Sequence, residues 1–190
     1  MTAFSHQSHY TIDEYLRLEK FANVKHEYFA GQIFAMAGGT PEHGAMAMRI
    51  AISLGAQLAG RPCNVYPSDV RIRIVATGLD TYPDVSVVCG AEARDTEDNN
   101  ALTNPIVIVE VLSPSTEAYD RGDKLEHYKQ ITSLRDVVLV SHEQRRVDVW
   151  RREEMGGWTT ATARAGETLT LRSIDCTLDV DTIYTNPLGA

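Results

Sequence analysis

Hydrophobic and polar positions alternate with two different periods along this chain, and the change of period separates its N-terminal part from the rest. Thr11-Ile-Asp-Glu14 has the form of a capping box, in which hydroxyl and carboxylate each satisfy a free helix N–H. Ile12, Tyr15 and Leu16 follow at helical spacing, which predicts a short amphipathic helix to about Phe21. Residues 26–36 form two short strand-like runs around Ala30-Gly31, a hairpin pattern. Gly38-Gly39-Thr40-Pro41-Glu42 then starts a longer helix: Thr40 caps, Pro41 takes the first helical position and Glu42 favours the positive end of the dipole. Ala47, Ile50, Ala51, Leu54 and Leu58 trace one face of it until Gly60 ends it.

Beyond that helix the period is two. Residues 64–75, 82–89, 105–112, 136–142 and 147–151 are predicted strands, separated by turn chemistry such as Ala76-Thr-Gly78, Asn99-Asn100 and Gly156-Gly157. Between the third and fourth, residues 118–132 are predicted as one helix, with Leu125, Tyr128 and Ile131 at near-helical spacing. Residues 158–171 are predicted as a further hairpin. There is no internal repeat and no low-complexity tract. This order of elements predicts an α/β fold with a mixed sheet flanked by helices.

Composition adds bounds. The 190 residues, 43% hydrophobic and 23% charged, suit one domain with its own core, the N-terminal helix and hairpin (about 11–36) packed on it. Order is expected everywhere except the first few residues and the Asn-Pro-Leu-Gly-Ala end. Cys63, Cys89 and Cys176 are odd in number and form no C-x-x-C pair, so neither a zinc site nor a disulfide framework is expected, and Cys89 reads as a buried thiol. No basic-plus-apolar leader and no apolar run near the roughly 20 residues of a membrane span is present, so the expectation is a reducing cytoplasm. A net charge of −8 argues against a sequence-independent nucleic-acid binder working through a basic field.

The chemistry centres on Pro105-Ile-Val-Ile-Val-Glu-Val-Leu112, where six aliphatic residues surround Glu110 in the pattern of a central strand. An ionised carboxylate isolated there would cost several kcal/mol, so it must be paired, protonated, bound to a metal or set at an exposed strand end. Asp84, just after Pro83, opens the second strand of the set, with Ser86 on its face and Val85, Val87 and Cys89 on the other. Two carboxylates converging from neighbouring strands make an oxygen-rich site suited to Mg²⁺ or Mn²⁺. Lys124 and Tyr128 lie four residues apart on one helix face. Alone, such a lysine reads as a solvated surface residue.

Pro83-Asp84 followed by Glu110-Val-Leu112 resembles the PD-(D/E)XK motif of nucleases. Glu110-Val-Leu-Ser-Pro-Ser-Thr116, with Asp120, Lys124 and Tyr128 after it, resembles the Uma2 branch of that superfamily. The similarity extends to His26-Glu-Tyr-Phe-Ala-Gly31, Met36-Ala-Gly-Gly39, His43 and Ser68-Asp-Val-Arg71, and covers roughly residues 11–150. It implies a restriction-endonuclease-like fold and Mg²⁺- or Mn²⁺-dependent hydrolysis of phosphodiesters in DNA, leaving a 5′-phosphate. A homodimer is implied as well. The resemblance assigns the metal to Asp84, Glu110, the carbonyl of Val111 and Glu27, with Lys124 beside them in catalysis. His43, Ser113, Tyr128 and Asp69 are candidate substrate contacts; Asp69 is also a candidate partner for Arg71. One departure is plain: the motif places a lysine two residues past the glutamate, where this chain has Leu112, and Lys124 is the candidate replacement. Two alternatives stand beside the nuclease: an inactive dimeric interaction module on the same fold, and a metal-dependent hydrolase of smaller phosphoesters.

Overall fold

The computed structural model describes residues 9–36 and 38–186. The expectations for the first few residues and for residues 187–190 fall outside them. Helix α1 (Ile12–Glu19) begins with the capping box: the Glu14 N–H donates to the Thr11 hydroxyl, and Thr11 N–H donates back to the Glu14 carboxylate at 2.8 Å. The hairpin β1 (His26–Phe29) and β2 (Gln32–Ala35) turns at Ala30-Gly31, both at positive φ. Helix α2 (Pro41–Gln57) is capped by Thr40 and buries Met46, Ile50 and Leu54, as its period predicts.

The central layer is a six-stranded sheet of order β11-β10-β9-β8-β6-β3. Its strands are β3 (Cys63–Pro67), β6 (Val85–Cys89), β8 (Val107–Val111), β9 (Asp136–Val140), β10 (Arg146–Arg152) and β11 (Trp158–Arg164). The β8–β9 pair is parallel and the other pairs are antiparallel, so the sheet is mixed. The crossover between β8 and β9 carries helices α3 (Glu117–Arg121) and α4 (Asp123–Tyr128).

Alternation along β8 divides the core. Val107, Val109 and Val111 pack with α2, with the small pair β12 (Thr168–Leu171) and β13 (Cys176–Asp179), and with helix α5 (Val180–Tyr184). Ile108 and Leu112 face the other way, against Leu125 and Tyr128 and against a second sheet of order β2-β1-β5-β4-β7. That sheet adds β4 (Arg71–Ile74), β5 (Leu79–Thr81) and β7 (Ala101–Leu102) to the hairpin. The outcome is α/β with mixed sheets flanked by helices. No helix among the described residues is long and apolar enough to cross a membrane.

Four expectations are corrected. Residues 64–75 are two strands in different sheets, parted by a turn at Ser68-Asp69. Residues 118–132 are two short helices broken at Gly122, whose backbone (φ −105°, ψ −110°) sits so close to the Ala118 carbonyl that a Cβ would meet its oxygen at 2.9 Å. Residues 158–171 do not form a hairpin with one another: β11 pairs back onto β10, and β12 pairs with β13. Finally, Cys89 is no free thiol. The β3–β6 register sets Cys63 opposite Cys89, and the two form a disulfide, leaving Cys176 free and buried.

Candidate active site

Pairing Val85 with Val109 brings the start of β6 beside the end of β8, so Asp84 and Glu110 arrive together from neighbouring strands. Glu110 shares the β8 face of Ile108 and Leu112 and is 4% exposed. Its burial is tolerated because partners come from α4. Lys124 Nζ lies 2.9 Å from Glu110 Oε1, and the Tyr128 hydroxyl donates a short hydrogen bond to the same oxygen. Both groups stand on one helix face four residues apart, and both are buried.

The second sheet supplies the remaining wall. Glu27 on β1 lies 3.0 Å from Lys124 Nζ and accepts a hydrogen bond from Thr81 on β5. Asp120, one helical turn before Lys124, lies 3.6 Å from the ammonium. Thus one buried cation faces Glu27, Glu110 and Asp120. Asp84 is held separately: the Val111 N–H donates to it at 2.7 Å, and His43 Nε2 approaches it at 3.2 Å.

This crowding sets the protonation behaviour. Burial pushes the Glu110 carboxyl up to about 8, with Asp120 and Asp84 adding to the rise while Lys124 and Tyr128 oppose it. Burial also works against the charge on Lys124, but Glu110, Tyr128, Glu27 and Asp120 outweigh it and hold the ammonium well above the ordinary lysine value. His43 is raised chiefly by its hydrogen bond to Asp84, with a further bond to the Val111 backbone.

These groups line one cavity of about 720 Å³. Its floor is Asp84, Glu110 and Lys124; His43 stands on one side, and Ser113 and Thr116 form the loop after β8. Of the residues singled out from sequence, Asp84, Glu110, Val111, Lys124, Glu27, His43 and Ser113 line this space. Tyr128 sits fully buried behind Glu110. Asp69 does not join them: it is exposed and paired with Lys25 at 2.6 Å. Arg71 pairs with Asp98 instead, and its NH1 donates to the Tyr82 hydroxyl at 2.8 Å. Sequence reasoning passed over Asp120 as a site residue, although its i,i+4 relation to Lys124 was the available signal. Leu112, in the motif's lysine position, is completely buried in the apolar core and also borders the cavity, to which its side chain brings no polar group.

The donor chemistry fits a hard divalent cation: carboxylate oxygens of Asp84, Glu110 and Glu27, near a backbone carbonyl, outnumber the single ammonium among them. The arrangement fits less well. Among the described residues, no three acidic, His or Cys groups stand together as a cation site. Glu27 and Glu110 close onto Lys124, while Asp84 turns to Val111 N–H and His43.

Comparison with known proteins bears on the family and the fold. The chain is 41% identical over 172 residues to uncharacterized protein slr1290 of Synechocystis sp., covering 90% of each. It is 32% identical to uncharacterized protein sll1609 of the same organism, covering 75% of this chain and 80% of that one. A crystal structure described as a putative nuclease belonging to DUF820, from Anabaena variabilis, superposes with a TM-score of 0.75 at 19% identity, covering 92% of this chain and 97% of that one, and so shares the fold. The family model described as Uma2, putative restriction endonuclease, matches residues 12–181, a span holding every residue of the cavity above, and the chain therefore belongs to the Uma2 family.

Proposed function

We propose that this protein is a metal-dependent nuclease that hydrolyses phosphodiester bonds in DNA. One observation carries the reading: Asp84 and Glu110 from adjacent strands and Lys124 from the following helix share a single cavity. The family's description as a putative restriction endonuclease and the nuclease title of the structural neighbour point the same way.

Asp84, Glu110, Glu27 and the Val111 carbonyl are the groups that would hold Mg²⁺ or Mn²⁺. When bound, the cation would neutralise charge on the phosphate and supply Lewis acidity. The chain's own groups do the rest. Tyr128 fixes the Glu110 carboxylate by hydrogen bonding to one oxygen, and His43 does the same for Asp84. Lys124, the one ammonium among these carboxylates, would face a phosphate oxygen as charge develops there. Ser113 lines the cavity and would contact the substrate backbone. A homodimer belongs to this proposal, since cutting both strands of a duplex takes two such cavities.

The test is cleavage of supercoiled and single-stranded DNA with Mg²⁺, Mn²⁺ or EDTA. Glu110→Ala and Asp84→Ala should each lower metal-dependent cutting at least about a hundredfold. Full activity in either variant would defeat the assignment. A second reading, a non-cutting interaction module, draws on the closure of Lys124 onto two carboxylates and on the buried Leu112. It predicts no cutting by the wild type and no Mg²⁺ or Mn²⁺ heat in calorimetry.

A further inference from the structure

A second cavity, of about 670 Å³, adjoins the first and shares Glu27, Phe34 and Tyr119 with it. Its size falls within the usual range for small-molecule sites. Its other walls are Phe29, the turn residue Thr77, Asp123, Glu126 and His127 of α4, and Gln130 just after it. The walls are largely aromatic: the Phe29 and His127 rings meet edge-on at 4.6 Å, while Phe34 stays 48% exposed.

Two polar atoms in these walls are buried without a hydrogen-bond partner, the Thr77 hydroxyl and His127 Nδ1. Only four such side-chain atoms occur among the described residues, and two of them belong to this one cavity. A buried polar atom left unpaired costs about 1–3 kcal/mol; both atoms are closed off from open space, so a ligand would pair with them once the Thr77 and His127 side chains turn.

The charge pattern defines that partner. Glu27, Asp123 and Glu126 line the cavity and no lysine or arginine does, although Lys124 and Lys129 pair with Glu27 and Glu126 from outside it. A phosphate finds no cation in these walls. A neutral, flat group that stacks on rings and offers N–H donors to carboxylates would be favoured. Because the cavity shares Glu27, Phe34 and Tyr119 with the one that holds Glu110 and Lys124, such a group would lie next to a phosphate held there.

We infer that this cavity holds an unpaired nucleobase bearing an exocyclic amino group, stacked against Phe34 and hydrogen-bonded to Thr77 and His127. Its placement next to the scissile phosphate rests on the nuclease reading; its affinity for a base does not. A base can reach the cavity only from a single strand or after leaving its stack.

The experiment has two arms. In the first, adenosine, cytidine and thymidine, which carry no phosphate, are titrated into the metal-free protein while the His127 ring resonances are followed by NMR. Adenosine and cytidine should bind saturably and shift those resonances, and thymidine should bind several-fold more weakly. Phe34→Ala should weaken adenosine roughly tenfold and Thr77→Val about threefold, while Glu110→Gln should leave it unchanged. No saturable binding, or equal binding by both cavity variants, overturns the inference. In the second arm, single-stranded DNA is cut after removing one base at a time. One abasic position beside the cut should slow cleavage about tenfold in the wild type, and Phe34→Ala should abolish that penalty. Cutting that ignores every abasic position, with no nucleoside bound, removes the base site and leaves the nuclease standing. Nucleoside binding by a protein that cuts nothing keeps the base site and removes the nuclease.

Discussion

On one face of the five-stranded sheet, Arg71 and Arg73 meet Asp80, Asp98 and Glu19 beneath α1. On the other, Lys124 meets Glu27, Glu110 and Asp120, with Asp84 and His43 beside them. Strand β5 serves both: Asp80 points to the arginines, and Thr81, its neighbour, hydrogen-bonds Glu27 on the opposite face. Both groups bury charge, but they balance it differently. Around Arg71, two guanidiniums face three carboxylates, and His26 takes up Glu19 at 2.6 Å. Tyr15 and Tyr82 pack over the Arg71 guanidinium within 5.3 and 5.5 Å. Around Lys124, one ammonium serves three carboxylates, with a fourth at Asp84, and the group lies on a cavity floor. A closed, balanced network orders the fold; an open one short of cations is arranged to take a further positive charge or to move a proton.

The first way to break this contrast is to remove each cation. Arg71→Met leaves Asp98 enclosed without its guanidinium, with Asp80 keeping only Arg73 and Glu19 keeping only His26 and Tyr82, and should cost about 3–5 kcal/mol in urea unfolding. Lys124→Met should cost less, about 1–3 kcal/mol, because Glu110 can take up a proton and the cavity admits water. If the two losses were equal, the distinction between a sealed and an open cluster would fail.

Adding metal sharpens it. Millimolar Mg²⁺ or Mn²⁺ should raise the Tm of Lys124→Met by more than that of the wild type, since the cation replaces the lost ammonium, and should raise Arg71→Met, whose cavity is intact, by no more than the wild type. Equal shifts in all three proteins would mean that the cation acts elsewhere.

The smallest effect is in pH. Burial pushes the Asp80 carboxyl up to about 6, against Arg73 and Arg71, which lower it. Its folded value exceeds the unfolded value of about 4, so folding favours the protonated form. The resulting stability is fully present below about pH 4 and lost as pH rises through about 6. The stability difference between wild type and Asp80→Asn should therefore fall over that window and level off above it; a difference flat from pH 4 to 7 would show that the arginines hold Asp80 ionised throughout.

How much of this was visible along the chain follows the range of the forces. The capping box at Thr11 and the start of α2 at Thr40-Pro41 were legible because cap and first turn lie within four residues. Glu110 was legible as an anomaly because six aliphatic neighbours left its carboxylate without local company; Lys124 shared a legible i,i+4 face with Tyr128 but alone read as a solvated lysine, and only the family resemblance singled it out. The break at Gly122 was not, since one helical period continues on both sides of it. Nor was the split of residues 64–75: one strand with a bend and two strands in separate sheets share the same alternation.

The sequence by itself determined the α/β class, the secure helix α2, and the residues able to carry an oxygen-rich site, because each depends on side-chain type and short-range period. Tertiary structure decided which of those residues meet. Cys63 found Cys89 across 26 positions, Arg71 found Asp98 across 27 rather than neighbouring Asp69, and Glu27 joined Thr81 across 54. Strand order and register set those encounters, and both come from burying two faces of a sheet at once, a requirement that no local stretch of chain expresses.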